Sequence, residues 1–174
     1  MINEKCVKLI KSRIIPDSIS RVLLNKFYPI IHIDHIRPIS AYPALAKEIL
    51  HPEFELKGPN EFDVTTLKRQ FHPDQRRGLS VGSKDMYHHL ITLDLLQYCV
   101  NLADILAIQV RGAKFFRRHF PEGILIAWAS VVQSHGGGLY VPYLIERDNK
   151  MTIGWQLLII GILPRIPILC HAKK

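Results

Sequence analysis

Two histidines flank an aspartate in the segment PIIHIDHIRPIS, residues 29–40. An imidazole can accept a proton near neutral pH, and a carboxylate can bind a divalent cation. His32, Asp34 and His35 therefore have the side-chain types of a site that activates water. The isoleucines between them alternate with the polar residues, which predicts a half-buried strand. Alternatively, His32 and Asp34 share the solvent-facing side of such a strand, with Arg37 paired to Asp34.

The stretch HIDHIRPIS resembles the start of HNH endonucleases, in which an Asp-His pair at a strand end precedes a short apolar segment with proline. The resemblance implies that His35 activates water against a phosphodiester and that Asp34 holds one divalent metal ion. It also implies Asn60 as the central catalytic asparagine and His72 as a further metal ligand. A divalent metal is the only cofactor implied by any of these patterns.

A second resemblance lies in PEGILIAWASVVQSHGGGLYVPY, residues 121–143. The segment is similar to the middle of the Mor family of phage transcription activators, where a helix opened by proline leads through glycines to a short strand. The matching residues are Pro121, Gly136, Gly137, Tyr140, Val141 and Pro142. In that family the strand helps to join two subunits, and a helix-turn-helix reads DNA. The resemblance implies DNA binding, transcription regulation and a homodimer formed through the strand at 138–145.

Basic residues form three clusters, at 5–13, 67–77 and 111–120. The net charge of +8 and the pI near 9.5 favour an anionic partner. Lysine and arginine neutralise phosphates, and phenylalanines interleaved with them can stack on exposed bases. The candidate nucleic-acid-binding residues are Lys68, Arg69, Arg76, Arg77, Arg111, Lys114, Arg117 and Arg118. The alternative is a solvated basic face over a core that buries the phenylalanines.

The three cysteines, Cys6, Cys99 and Cys170, are widely spaced and form no CxxC pair. This spacing suggests neither a zinc knuckle nor a disulfide framework, so we expect a reducing, cytoplasmic location. The amino terminus lacks a signal-peptide pattern. The apolar tail IGWQLLIIGILPRIPIL is shorter than the roughly 20 residues of a spanning helix and is interrupted by prolines. We therefore expect buried strands there and no transmembrane segment.

The spacing of apolar residues predicts mostly helices. They are expected at about 2–14, 17–27, 43–50, 64–71, 83–111 and 121–135, with a shorter segment at 113–120. Period-two alternation predicts a strand near residue 31 and two strands, LYVPYLI and MTIGWQLLII, joined by the polar turn ERDNK. Pro142 argues for an edge or irregular position in the first of these two strands.

The expected fold class is mainly α (α+β), a single α-rich domain over residues 1–174. It would carry a short N-terminal strand and a C-terminal β-hairpin, with 136–170 as a β-rich element. The leading functional hypothesis is a nucleic-acid-binding regulator or accessory protein of a mobile element, binding through basic helices. The rivals are a metal-dependent HNH-like endonuclease and a helical protein-interaction module without catalysis.

Overall fold

The computed structural model describes residues 28–34, 41–56 and 58–172 of the chain. Of these residues, 30% are helical and 32% lie in strands, and the paired strands are antiparallel. The fold is α+β with slightly more strand than helix. The prediction of a mainly α or all-α protein is therefore wrong.

The described residues contain five α-helices: α1 (Pro52–Leu56), α2 (Pro73–Arg76), α3 (Ser83–Thr92), α4 (Leu102–Gln109) and α5 (Gly112–His119). Short 3₁₀ segments occupy Val64–Thr66 and Leu96–Tyr98. The strands are β1 (Ile30–His32), β2 (Ala46–Ile49), β3 (Glu61–Asp63), β4 (Lys68–Gln70), β5 (Val81–Gly82), β6 (Ile124–Ile126), β7 (Val132–Ser134), β8 (Leu139–Arg147), β9 (Lys150–Leu157), β10 (Gly161–Ile162) and β11 (Ile168–Cys170).

A five-stranded sheet is organised around β8. Strand β9 pairs with β8 from Tyr140 to Arg147, whereas β7 and β6 share the opposite edge of β8, and β2 extends the sheet beyond β7. Asp148 and Asn149 connect β8 to β9 with φ angles of 50° and 60°. A two-residue turn with both φ angles positive matches the twist of a hairpin, and Asp and Asn tolerate it well. The predicted C-terminal hairpin is confirmed.

Three two-stranded ladders join distant parts of the sequence. Strand β1 pairs with β3, β4 with β11, and β5 with β10. The last two ladders bring the apolar tail against residues 68–82, and β11 is buried along its whole length. The expectation of a strand near residue 31 is confirmed by β1, and the expectation of buried strands in the tail is confirmed by β11.

The long helix predicted over 83–111 is divided into α3, a 3₁₀ segment and α4. Asp94 takes a left-handed conformation with φ of 51° just after α3. A new helix then begins at Asn101, whose side chain accepts a hydrogen bond from the Asp104 N–H at 2.9 Å while the Asp104 carboxylate accepts one from the Asn101 N–H at 2.9 Å. This reciprocal capping box fixes a helix start inside an apolar pattern that continues without a break.

Three other predicted helices are replaced by strands. Residues 43–50 contain β2, residues 64–71 contain only a 3₁₀ turn capped by Asp63 and then β4, and residues 121–135 contain β6 and β7. Gly123, with φ of 75°, prevents a helix from continuing past Pro121. The predicted helices over 2–14 and 17–27 lie outside the described residues.

Strand β8 covers most of the segment expected to form a dimer. Its backbone pairs with β9 on one edge and with β7 and β6 on the other. A dimer that used this segment would therefore have to contact its side chains rather than extend its backbone ladder. Among the described residues, no helix has the length and apolar character needed to cross a bilayer.

Candidate functional site

Helix α5 presents a basic stripe on one face and an apolar face on the other. Ala113, Phe115 and Phe116 are buried. The exposed cations of the stripe, Lys114, Arg117 and Arg118, have the i, i+3 and i+4 spacing that places side chains on one side of a helix. The phenylalanines are core residues and are not placed to stack on bases.

The stripe lies beside the turn between β8 and β9. Arg117 forms an ion pair with Glu146, and its second terminal nitrogen donates to the Asn149 side-chain oxygen at 3.3 Å. Helix α5 also packs against α4 and β9. The basic stripe is therefore carried by a helix that is fixed on the sheet.

Arg111, just before α5, has a structural role. Its guanidinium donates hydrogen bonds to the carbonyls of Ile30 at 2.5 Å and Tyr28 at 2.6 Å, and it lies 4.4 Å from the Phe115 ring centre. Burial lowers the pKa of Arg111 from its ordinary value. These contacts join β1 to α5, so Arg111 is the least available of the predicted phosphate contacts.

The second basic cluster is divided between two places. Arg69, on β4, forms an ion pair with Glu122 in the turn after α5, which brings this strand next to the end of the basic stripe. Arg76 is the last residue of α2 and Arg77 caps the helix, where Arg77 pairs with Asp74. Helix α2 is attached elsewhere, because the Gln75 side chain donates to the carbonyls of Leu163 and Ile166.

Lys68, Arg76 and Arg118 are exposed and make no ion pair with any residue that the structure describes. The predicted cations thus form one group around α5 and β4 and another on α2. The amino-terminal basic cluster at 5–13 lies outside the described ranges.

The residues expected from the HNH resemblance are only partly brought together. The Ile33 N–H donates to the Asn60 carbonyl at 2.9 Å, so the backbone brings Asp34, the next residue, close to Asn60. His72 instead caps α2, where its Nδ1 accepts from the Asp74 N–H at 3.2 Å, and its ring lies against that of His89 with 4.5 Å between centres. Within the described segments, no group of three or more potential metal ligands converges.

His35, the expected general base, lies outside the described residues, as does Arg37, the expected partner of Asp34. The described part of the opening segment, residues 29–34, contains the half-buried strand β1. Ile31 is buried, whereas His32 is exposed and pairs across the ladder with Glu61 at 2.9 Å. This is the solvent-facing arrangement that the alternation of the sequence also predicted.

A small cavity of about 250 Å³ lies between residues 58–59, 97–101 and 171–172. His171 forms part of its wall, and its Nε2 lies 2.9 Å from the carboxylate of Asp104. Asp104 is 1% exposed, and its other oxygen, Oδ1, has no hydrogen-bond partner among the described residues. A buried carboxylate that orients an imidazole is an arrangement suited to proton transfer.

Three other histidines are perturbed by their surroundings. Burial lowers the pKa of His51, although Glu53 opposes the shift, and burial also lowers the pKa of His89, with His72 and Arg76 adding to the effect. Burial lowers the pKa of His119 at the end of α5, and the charge of Arg118 lowers it further. His51 Nε2 is 2.6 Å from the Tyr87 hydroxyl, and burial raises the pKa of Tyr87 to about 12.

Comparisons of the chain with protein-family models, with curated proteins and with solved structures each found no match. The functional argument therefore depends on the geometry of this chain.

Sequence reasoning missed the pairing of Asp104 with His171. The only local signal is the Asn-x-x-Asp pattern at 101–104, which is a capping-box pattern before an apolar run. Nothing in that pattern indicates a histidine 67 positions further along the chain.

Proposed function

We propose that this chain binds the phosphate backbone of nucleic acid through the basic stripe of α5. The observation that carries the proposal is the exposure of Lys114, Arg117 and Arg118 on one face of a helix whose other face is buried. A helix anchored in this way holds its cations in a fixed row that extends about 6 Å along the axis, since each residue rises about 1.5 Å. Contacts to phosphate are independent of base sequence and release bound counterions.

The net charge of +8 supports an anionic partner of this kind, because a positive field attracts polyanions over long distances. Arg69 on β4 extends the basic surface next to the end of α5, through its contact with Glu122. The finer hypothesis is a cytoplasmic regulator or accessory protein of a mobile element, with the homodimer that the resemblance of residues 121–143 to the Mor family implies. Under that hypothesis, a second subunit contributes to the surface that binds the phosphate backbone of nucleic acid.

The test is the salt dependence of binding to a duplex DNA of arbitrary sequence, measured by fluorescence anisotropy in EDTA. The double variant Lys114→Gln/Arg118→Gln removes two stripe cations. We expect its affinity to fall and the slope of log K against log salt to become shallower by about 1.8, at about 0.9 per lost phosphate contact. The matched control is Lys47→Gln/Lys84→Gln, which removes the same charge from exposed positions on β2 and α3.

The control variant should keep the wild-type slope. Equal losses in both variants would mean that only net charge matters and would overturn the assignment to α5. If no binding is detected at low salt, the nucleic-acid proposal fails and a protein-interaction role replaces it. Cleavage of the DNA on addition of Mg²⁺ would indicate the endonuclease alternative, and it should then be lost in Asp34→Asn.

A further inference from the structure

The fold brings two cysteine thiols together from distant parts of the chain. The Sγ atoms of Cys99 and Cys170 lie 3.5 Å apart, although the residues are 71 positions apart in sequence. Neither cysteine forms a disulfide, and each residue is 3% exposed. Widely spaced cysteines gave no indication of a pair at the level of sequence.

The backbone around the two cysteines has a geometry that suits a disulfide. Cys99 and Cys170 are partners in an antiparallel bridge. The bridge is held by hydrogen bonds on both sides, from the Val100 N–H to the Leu169 carbonyl at 3.0 Å and from the His171 N–H to the Tyr98 carbonyl at 2.8 Å. The two cysteines therefore face each other at a non-hydrogen-bonded position of the antiparallel ladder. At such positions the two Cα atoms lie about 4.5 Å apart, closer than at hydrogen-bonded positions.

That separation lies within the range of about 4.4–6.8 Å that disulfides span. The two sulfurs must approach from 3.5 Å to the bonded distance of about 2.05 Å. Small rotations of the two side chains accomplish this approach while the flanking hydrogen bonds remain in place.

A small reagent can reach the pair from the cavity next to His171. Cys99 forms part of the cavity wall together with Tyr98 and Asn101. The volume of about 250 Å³ is several times the roughly 30 Å³ that a water molecule occupies in the liquid. A reagent as small as hydrogen peroxide therefore fits.

We propose that Cys99 and Cys170 form an oxidation site that a small peroxide converts to a disulfide. In the first step the sulfur of Cys99 attacks one peroxide oxygen, the O–O bond breaks, and a sulfenic acid and one water form. In the second step the sulfur of Cys170 attacks the sulfenic sulfur, the S–O bond breaks, and the hydroxyl leaves as water with the thiol proton. Two thiols are oxidised and one peroxide is reduced to two waters.

Burial raises the pKa of the Cys99 thiol well above its ordinary value, and the neighbouring Cys170 adds to this shift. Because the thiolate is the nucleophile, oxidation is slow near neutral pH and becomes faster as the pH rises. The resulting disulfide ties β11 to the segment between α3 and α4 and fixes one wall of the cavity.

The test uses the full chain with Cys6→Ser, so that the third thiol does not interfere. The protein is treated with hydrogen peroxide, the remaining thiols are alkylated, and the chain is digested with trypsin without reduction. We expect the peptides 85–111 and 166–173, each with one cysteine, to appear as one species that lacks two hydrogen atoms and that dithiothreitol separates. If both cysteines remain alkylated, or end as unlinked sulfinic acids, the proposal is wrong.

Equilibration in concentrated urea is the control for native geometry. Unfolding removes the alignment of the two sulfurs, so at equilibrium with a dithiothreitol buffer the ratio of linked to reduced chains should be at least tenfold lower in urea than in the folded protein. Equal ratios would overturn the role assigned to the fold. In Cys170→Ser the sulfenic acid of Cys99 should persist and react with dimedone, and circular dichroism checks that this variant is folded.

Discussion

Asp104 is an almost fully buried carboxylate, and a buried charge is costly unless hydrogen bonds or ion pairs satisfy it. Its Oδ2 accepts from the Asn101 N–H and faces His171 Nε2, both at 2.9 Å. The same residue starts α4 and orients the imidazole at the cavity. A single side chain thereby connects a helix terminus to the carboxyl-terminal segment of the chain.

Removal of this carboxylate should destabilise the protein strongly. In Asp104→Ala, the Asn101 N–H and the His171 ring lose a buried acceptor, and we expect a loss of about 3 kcal/mol in the free energy of unfolding. Urea denaturation measures the loss. Asp85→Ala, at an exposed position in the first turn of α3, is the control and should cost less than about 1 kcal/mol. A similar cost for both variants would contradict this role of Asp104.

Three half-buried histidines make stability depend on pH. Burial lowers the pKa of His51, His89 and His119, so the unfolded chain takes up protons first as the pH falls below about 6.5. We therefore expect the free energy of unfolding to decrease on acidification from about pH 7, until the pH passes the lowered values. Urea titrations at several pH values measure this decrease.

His89→Gln should make that decrease shallower than in the wild type, because one of the three groups no longer titrates. His88→Gln changes an exposed neighbour and controls for the substitution itself. An unchanged pH dependence in His89→Gln would show that His89 does not contribute.

At the scale of elements, the contact between α5 and the β8–β9 turn restrains the basic stripe. Glu146 forms an ion pair with Arg117 and also places a negative charge beside the proposed phosphate-binding surface. The arginine must exchange this carboxylate for a phosphate on binding. The ion pair is therefore expected to oppose nucleic-acid binding.

Glu146→Gln should raise the affinity for DNA, because it frees Arg117 and removes an anion. We expect the salt slope to become steeper by about 0.9, which corresponds to one further phosphate contact. The stability cost should stay below about 1 kcal/mol, as for other ion pairs with exposed partners. Anisotropy titrations measure the affinity, and Glu48→Gln on β2 serves as the charge-matched control. A lower affinity of Glu146→Gln for DNA would contradict the expectation that the ion pair between Arg117 and Glu146 opposes binding.

The elements differ in how far they could be predicted from sequence. Strand β1 and the β8–β9 hairpin follow local rules, since alternation and the Asp148-Asn149 turn lie within a few residues. Residues 124–134 instead carry apolar residues that also fit a helical period. They form β6 and β7 because β8 and β2 offer them backbone partners. Tertiary pairing overrides local preference there.

At the scale of the whole molecule, oxidation of Cys99 and Cys170 should change global stability. The disulfide would close a loop of about 70 residues, for which the loss of unfolded-state entropy corresponds to about 4 kcal/mol. We expect the midpoint of urea denaturation to rise after peroxide treatment and to return to its original value after reduction. The same treatment of Cys99→Ser/Cys170→Ser should leave the midpoint unchanged. No rise in the oxidised wild type would contradict the expected constraint on unfolding.

The sequence by itself determined the basic charge, the first strand, the C-terminal hairpin and the set of exposed cations on α5. These features depend on composition or on residues close together in the chain. Only the tertiary structure decided that β4 pairs with β11, that Asp104 meets His171 and that Cys99 meets Cys170. Such contacts are set by strand register and by burial against distant segments, for which the local pattern of residues carries no signal.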